Sequence, residues 1–300
     1  MSLKKRLGEI FEPWELKNIG KSYDIIGDIA VVRISETMEH KAKEIAEVVL
    51  QSNPHVKTVV RQTGPVTGEL RLRRLEWLAG EKKTETVHRE FGCLFKVDLE
   101  KCYFSPRLSF ERMRVAKQVM TGEVVVNMFA GVGCFSILIA KLANPLKVYS
   151  VDMNPDAIRF MEENIRLNKA RYIIEAVEGD AKEIVIKRLL NIADRVLMPL
   201  PEKAFEYLDY ALTALKPTGG KIHYYDFVHA EKGVDPVKEV EKKVSEKLRD
   251  ANVNFEYTFG RIVRPVGPRW FQVVLDINVH EKINRTSPSF IKIGMAEGVS

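Results

Sequence analysis

Glu123–Ile137 reads EVVVNMFAGVGCFSI, an apolar run that gives way to Ala130-Gly131-Val132-Gly133 and then to a helical pattern through Ile137, Ala140 and Leu142. A buried strand, a glycine turn and a helix in that order let backbone N–H groups approach a bound nucleotide or amino-acid moiety closely. Val148 to Val151 reads as the next strand, and Asp152 closes it. A carboxylate there, about 20 residues past the turn, is placed to accept bonds from ribose hydroxyls. The dinucleotide fingerprint asks for a third glycine, and position 136 is Ser136. Gly179-Asp180 after the third strand adds a polar group suited to an adenine amino group. Together these features favour S-adenosylmethionine over NAD. The simpler alternative is that Gly131 and Gly133 serve only the tight turn and Asp180 caps a helix.

Outward from this stretch the chain alternates strand and helix, the mark of a doubly wound α/β sheet. Asn154-Pro155 opens a helix with Ala157, Ile158, Met161 and Ile165 on one face, and strands follow at 171–177, 195–198 and 221–227. Helices are expected at Lys203–Leu215 and Val237–Leu248, then a hairpin from 255–263 and 270–279 around RPVGP. Before residue 110 the pattern is α+β. Strand-like runs at 25–34, 56–60, 69–78 and 93–99 surround a helix over Met38–Leu50, which predicts a mostly antiparallel sheet with a helix on one face. The expected domains are 1–105, 106–280 and a polar tail 281–300.

Three hundred residues suit two domains, and 45% hydrophobic with 29% charged residues is globular composition. The N-terminal stretch lacks the apolar core of a signal peptide, and no run of about 18 uncharged apolar residues occurs, so a cytoplasmic protein without a membrane span is expected. Cys93, Cys102 and Cys134 have neither zinc-site nor disulfide spacing, and six scattered histidines form no metal motif, so no metal is expected. Net charge +6 and pI near 9.0 help draw a polyanion to the surface without proving one.

The runs YFSPRLSFERMR (103–114), NMFAGVGCFSI (127–137), SVDMNPDAI (150–158), MPLP (198–201) and IHYYDF (222–227) follow one another in the order of a known family. With GELRLRRLEWLAGE (68–81), they resemble the archaeal and eukaryotic tRNA guanine-N1 methyltransferases acting at position 37. The resemblance covers about residues 20 to 280. It implies a class I, Rossmann-like S-adenosylmethionine methyltransferase domain with a smaller N-terminal α+β domain that contacts RNA. Family members often carry another small N-terminal domain, which this sequence is expected to lack.

The resemblance also implies roles for particular side chains. Glu111 is the implied base that takes the N1 proton, and Arg71 steadies O6. Tyr103, Arg107, Phe129, Ala130, Gly131, Gly133, Asp152, Met153, Asp180 and Pro201 surround the cofactor. Arg71, Arg73, Arg74 and position 199 face the substrate, a tRNA anticodon stem-loop bound by a monomer. Read without the family, Glu111 is the exposed start of a helix and the arginines a solvated strand face. Trp77 and Trp270 are expected to be packing residues. Pro199 stands where the family usually has asparagine, while Asn127 and Cys134 replace its aspartate and proline. The retained Arg107 argues against the aminocarboxypropyl transferases of the wyosine pathway. A wyosine-precursor enzyme and a non-catalytic RNA-binding relic are the competing readings.

Overall fold

The computed structural model describes residues 7, 8, 10–12, 15, 23–66 and 68–280, so the expected tail at 281–300 lies outside it. The chain divides into two compact units, Met1–Glu123 with Asn127–Ala181, and Val124–Val126 with Lys182–Ser300.

In the first unit β1 (Asp24–Ile26) and β2 (Ile29–Val32) form an antiparallel hairpin. Gly27 turns it at φ +56, and a Cβ there would stand 2.6 Å from the Val87 carbonyl oxygen, so glycine is required twice over. A 3-10 segment, Glu36–Lys41, and α1 (Ala42–Ser52) then carry the chain to β3 (Thr58–Gln62), parallel to β2. β4 (Leu75–Gly80) runs antiparallel to β3 and completes the order β1-β2-β3-β4. Ala42, Ala46 and Val49 of α1 share a core with Val59 and Leu78, as their helical spacing predicts.

β5 (Glu85–Glu90) and β6 (Cys93–Asp98) pair antiparallel as a separate ribbon. The sequence reading has no strand at β5, because its buried residues are Thr86 and Glu90 while Val87 faces outward, which erases the apolar alternation. Residues 69–74, expected as strand, are not β4. Residues 68–71 form a turn with Gly68 at φ +73 and Arg71 at φ +55. The unit also holds α2 (Ser109–Ala116), α3 (Cys134–Leu142), β8 (Lys147–Asp152), α4 (Pro155–Leu167) and β9 (Ile174–Glu178), with β8 and β9 parallel.

β7 (Val124–Asn127) begins in the second unit. α5 (Ala181–Arg188) is a helix absent from the sequence reading, its inner face reduced to Ala181 and Val185, with Leu189 beyond its end. β10 (Arg195–Met198) lies parallel to β11 (Gly220–His229), and α6 (Pro201–Ala214) connects them. After α7 (Pro236–Asp250), β12 (Phe255–Gly267) and β13 (Trp270–Val279) form the expected hairpin, though RPVG belongs to the strand and the turn falls at Pro268-Arg269. β13 pairs antiparallel with all ten residues of β11. The large sheet is seven strands in the order β12-β13-β11-β10-β7-β8-β9, a Rossmann-like mixed sheet. Among the described residues no helix is long and apolar enough to cross a membrane.

Three buried polar side chains cross β10, β11 and β13 in a line. Arg195 donates to His223 Nε2 at 2.8 Å, and His223 Nδ1 donates to Asp276 at 2.6 Å. No member is more than 3% exposed. Truncating Asp276 takes the acceptor from the buried His223 Nδ1–H, so Asp276→Ala is expected to cost about 1–3 kcal/mol of unfolding free energy. Urea denaturation of wild type and variant measures it.

Candidate active site

β7 delivers the chain to Phe129-Ala130-Gly131-Val132-Gly133, and Ala130 N–H bonds the Val151 carbonyl of β8 at 2.8 Å. Gly131 has φ +55 and Gly133 φ +90, a backbone that side chains rarely adopt. A Cβ on Gly133 would reach 2.9 Å from Met161 Cγ, whereas one on Gly131 would meet only the Tyr103 carbonyl oxygen, at 3.9 Å. Gly133 is therefore closed in by packing, and the space over Gly131 is open.

Asp152 faces this turn. Its Oδ2 accepts the Gly131 N–H at 2.6 Å and its Oδ1 the Asn154 N–H at 3.0 Å. Burial pushes its carboxyl above the ordinary aspartate range, against the pull of those two N–H groups. Asn154 caps α4 through Asp156 N–H at 3.0 Å and donates to the Lys101 carbonyl at 2.8 Å, linking the carboxylate to the chain just before Tyr103. Asn164 links β6 to the turn, its amide donating to the carbonyls of Lys96 at 2.9 Å and Val132 at 3.0 Å. Ser136 sits where a dinucleotide fold has its third glycine. It is buried and joins Asn127 of β7 at 3.1 Å to Ser150 of β8 at 2.7 Å. Met153 is 45% exposed beside Asp152. Gly179 N–H bonds the Asp152 carbonyl at 3.0 Å and sets the half-buried Asp180 after β9.

The segment Tyr103–Arg114 is fastened to the β5–β6 ribbon by a buried ion pair. Arg112 donates to both oxygens of Glu90, at 2.8 and 2.5 Å, and to the Ser105 carbonyl at 3.2 Å. His88 packs edge-on to Phe104 with ring centroids 5.2 Å apart. Burial holds its imidazole below the ordinary histidine range despite nearby Glu90. Arg73, expected on the substrate face, is only 8% exposed. It donates to the Phe104 carbonyl at 2.6 Å, and burial lowers its pKa. Arg71 lies over the Tyr103 ring at 4.5 Å, Arg107 bonds Asp24 at 2.7 Å, and Arg74 is exposed. Glu111 is not the exposed helix start that spacing alone allows. It is 1% exposed, and Arg114 donates to its Oε1 at 2.6 and 2.9 Å.

Pro199 and Pro201 belong to the other unit, where β10 ends at Met198 and Pro201 opens α6. Sequence reasoning passed over Glu90, His88 and Asn164. Their signal was polar residues at the inward positions of TETVHRE and on the buried face of α4. Among the described residues no three histidine, cysteine, aspartate or glutamate side chains could hold a metal ion. Burial pushes the thiols of Cys102 and Cys134 up to about 12, so both stay protonated at neutral pH.

Open space over a glycine turn, a carboxylate closing the next strand and a polar residue after the third suit the amino-acid and adenosine parts of S-adenosylmethionine. Fold and site thus define a class I methyltransferase. Residues 86–254 match the TRM5/TYW2 methyltransferase domain and residues 3–84 the TYW2 N-terminal domain. Trm5b of Pyrococcus abyssi, a tRNA (guanine(37)-N(1))-methyltransferase, is 42% identical over 268 residues, 89% of this chain and 78% of that one. Its crystal structure superposes with TM-score 0.80, covering 90% of this chain and 79% of that chain. Taw21 of Saccharolobus solfataricus, a tRNA 4-demethylwyosine(37)-methyltransferase, is 40% identical over 88% of this chain and 96% of that one. The chain belongs to the TRM5/TYW2 methyltransferase family.

Glu90→Ala leaves Arg112 buried and unpaired beneath the Tyr103–Arg114 segment. The expected loss is about 3–5 kcal/mol of stability, with Glu90→Gln losing less because the amide still accepts a hydrogen bond. Thermal and urea unfolding of the pair of variants checks the order.

Proposed function

We propose that the protein transfers a methyl group from S-adenosylmethionine to N1 of guanosine 37 in tRNA. The observation that carries this reading is the gathering, in one unit, of the Gly131–Asp152 cradle with a Tyr103–Arg114 segment that holds Arg71 against Tyr103 and Glu111 under Arg114. In this reading Asp152 takes the ribose hydroxyls, Asp180 the adenine amino group, and Tyr103 with residues 129–133 and Met153 encloses the rest of the cofactor. S-adenosylmethionine would supply a methyl group whose bond to the positively charged sulfur breaks as N1 takes it, leaving the neutral thioether S-adenosylhomocysteine. Glu111 accepts the N1 proton as the N–C bond forms, and Arg71 meets the negative charge that builds towards O6. Arg107, tied to Asp24, steadies the loop that carries them. Arg73 acts from inside, by holding the Phe104 carbonyl, and Arg74 is the arginine of the three that can meet a phosphate directly. Residues 1–105 serve as the RNA-contacting domain for the anticodon stem-loop, and the enzyme works as a cytoplasmic monomer.

A second reading has one specific support. Pro199 cannot offer the side-chain amide that the family's asparagine gives a flipped-out purine, and a 4-demethylwyosine methyltransferase is nearly as similar as the guanine-N1 enzyme. Incubation of unmodified tRNA and of 4-demethylwyosine tRNA with methyl-labelled cofactor, followed by nucleoside mass spectrometry, separates the readings. N1-methylguanosine at position 37 supports the first. Label only on the wyosine precursor supports the second, and no label at all rejects both.

Glu111→Gln is expected to slow single-turnover methylation about 100-fold or more with both ligands still bound. Pro199→Asn is expected to raise methylation of guanosine-37 tRNA, because it returns an orienting hydrogen bond to a loop whose Leu200 carbonyl already starts α6. Single-turnover rates on the same tRNA read both.

A further inference from the structure

β10 stops at Met198, opposite Tyr224, but β11 continues five residues further, to His229, with Trp270–Val274 of β13 alongside. At about 3.3 Å per residue, this three-stranded arm projects roughly 17 Å beyond the sheet edge at which β10 delivers Pro199. Ligands of open α/β sheets bind at this edge, outside the carboxyl ends of the parallel strands. The arm is therefore placed where substrate arrives in this unit.

Its surface carries several large apolar side chains in the open. Trp270 is 46% exposed, Val266 43%, Val234 42% and Ile262 39%, although the sequence suggested that Trp270 packs inside. Trp270 stands against His229 with ring centroids 5.5 Å apart. On the other face of the arm's tip, to which Phe271 points, a groove of about 350 Å³ is lined by Ala230, Glu231, Lys232, Val234, Ile262 and Phe271. Within 229–236 and 259–272 the cations are Lys232, Arg261, Arg264 and Arg269, against the carboxylates Glu231 and Asp235. Glu231 is paired with Arg269, and Asp235 is spent capping α7. An apolar, aromatic surface with a surplus of positive charge suits a polyanion that also presents flat bases.

We propose that the arm is a second RNA contact, with Trp270 stacking on an unpaired base or sugar and Lys232, Arg261 and Arg264 lying along the phosphates. A protein copy is the poorer occupant. β12 is the edge strand, and three register shifts, Pro265 and its arginines spoil it as a template for another strand. The proposal rests on tRNA being the substrate and deepens that reading by naming where the RNA runs.

The test uses full-length protein and tRNA, with Trp270→Ala, Trp270→Phe and Lys232→Glu. Fluorescence anisotropy at fixed salt is expected to show tRNA affinity falling tenfold or more in Trp270→Ala and recovering most of that in Trp270→Phe. Lys232→Glu is expected to weaken binding several-fold and to flatten its salt dependence. Calorimetric affinity for S-adenosylmethionine should stay at the wild-type value, which excludes misfolding as the cause. Affinity for tRNA within twofold of wild type in Trp270→Ala and Lys232→Glu overturns the proposal. So does a change in sedimentation without a change in tRNA binding, which would make the arm a protein interface. Mass spectrometry of wild-type products is read separately: if the wild type binds tRNA and leaves guanosine 37 unmethylated, the functional reading fails while the arm assay still gives its own answer.

Discussion

The candidate site depends on one buried ion pair. Arg112 is 3% exposed and spends its guanidinium on both oxygens of Glu90 and on the Ser105 carbonyl. Such a pair gains little net stability over an apolar pair of the same volume, because both charges must first leave water. Its value is geometric. A bidentate fork fixes both distance and angle, so the strand that ends at Glu90 anchors the segment at Arg112 and, through it, at Ser105. Arg73 adds a second fixture through the Phe104 carbonyl, and the Phe104 ring lies 5.5 Å from the Arg112 guanidinium. The loop between β6 and α2 is thus gripped by two buried arginines, neither of which is free to take a substrate phosphate.

The same economy holds at the glycine turn. Asn154 and Asn164 are both buried, and each serves several backbone groups at once, which ties the turn, α4 and the β5–β6 ribbon into one block. Side-chain amides suit this task because each offers donors and an acceptor in one plane. A consequence for chemistry is that Asp152 and the chain just before Tyr103 are linked through one residue: Asn154 donates to the first through its backbone N–H and to the Lys101 carbonyl through its side-chain amide. Positioning is much of what a single methyl displacement asks of a protein, and this block supplies it.

The parts of this arrangement that were legible in the sequence are those with apolar periodicity or a glycine at a forced turn. β7, β10, α6 and α7 fall within a few residues of expectation, and Asp152 lies where a carboxylate after the second strand should lie. The parts that were not legible are carried by buried polar residues. β5 shows Thr86 and Glu90 inward, so its pattern looks like a solvated loop. Arg73 and Glu111 look in the sequence like surface charges and are buried, since a charge can enter the interior when another group meets it, a condition no spacing reveals. Trp270 errs the other way: a tryptophan in a β-rich hairpin is expected to pack inward, and here it stands on a projecting arm.

Ser136 shows how much of the cofactor choice is structural. In a dinucleotide fold the third glycine lets the helix press against the strand. Here a serine fills that position, and the contact is made by hydrogen bonds from Ser150 and Asn127 instead. The side chain is wholly buried, so it takes up room beneath the turn rather than beside the ligand. The helix that follows starts at Gly133 with no side-chain cap, and the Gly131 N–H points at Asp152. The first amide of the turn is therefore committed to a carboxylate of the protein rather than presented to a pyrophosphate. A turn wired this way disfavours a second anion, which suits a cationic sulfonium better than a pyrophosphate.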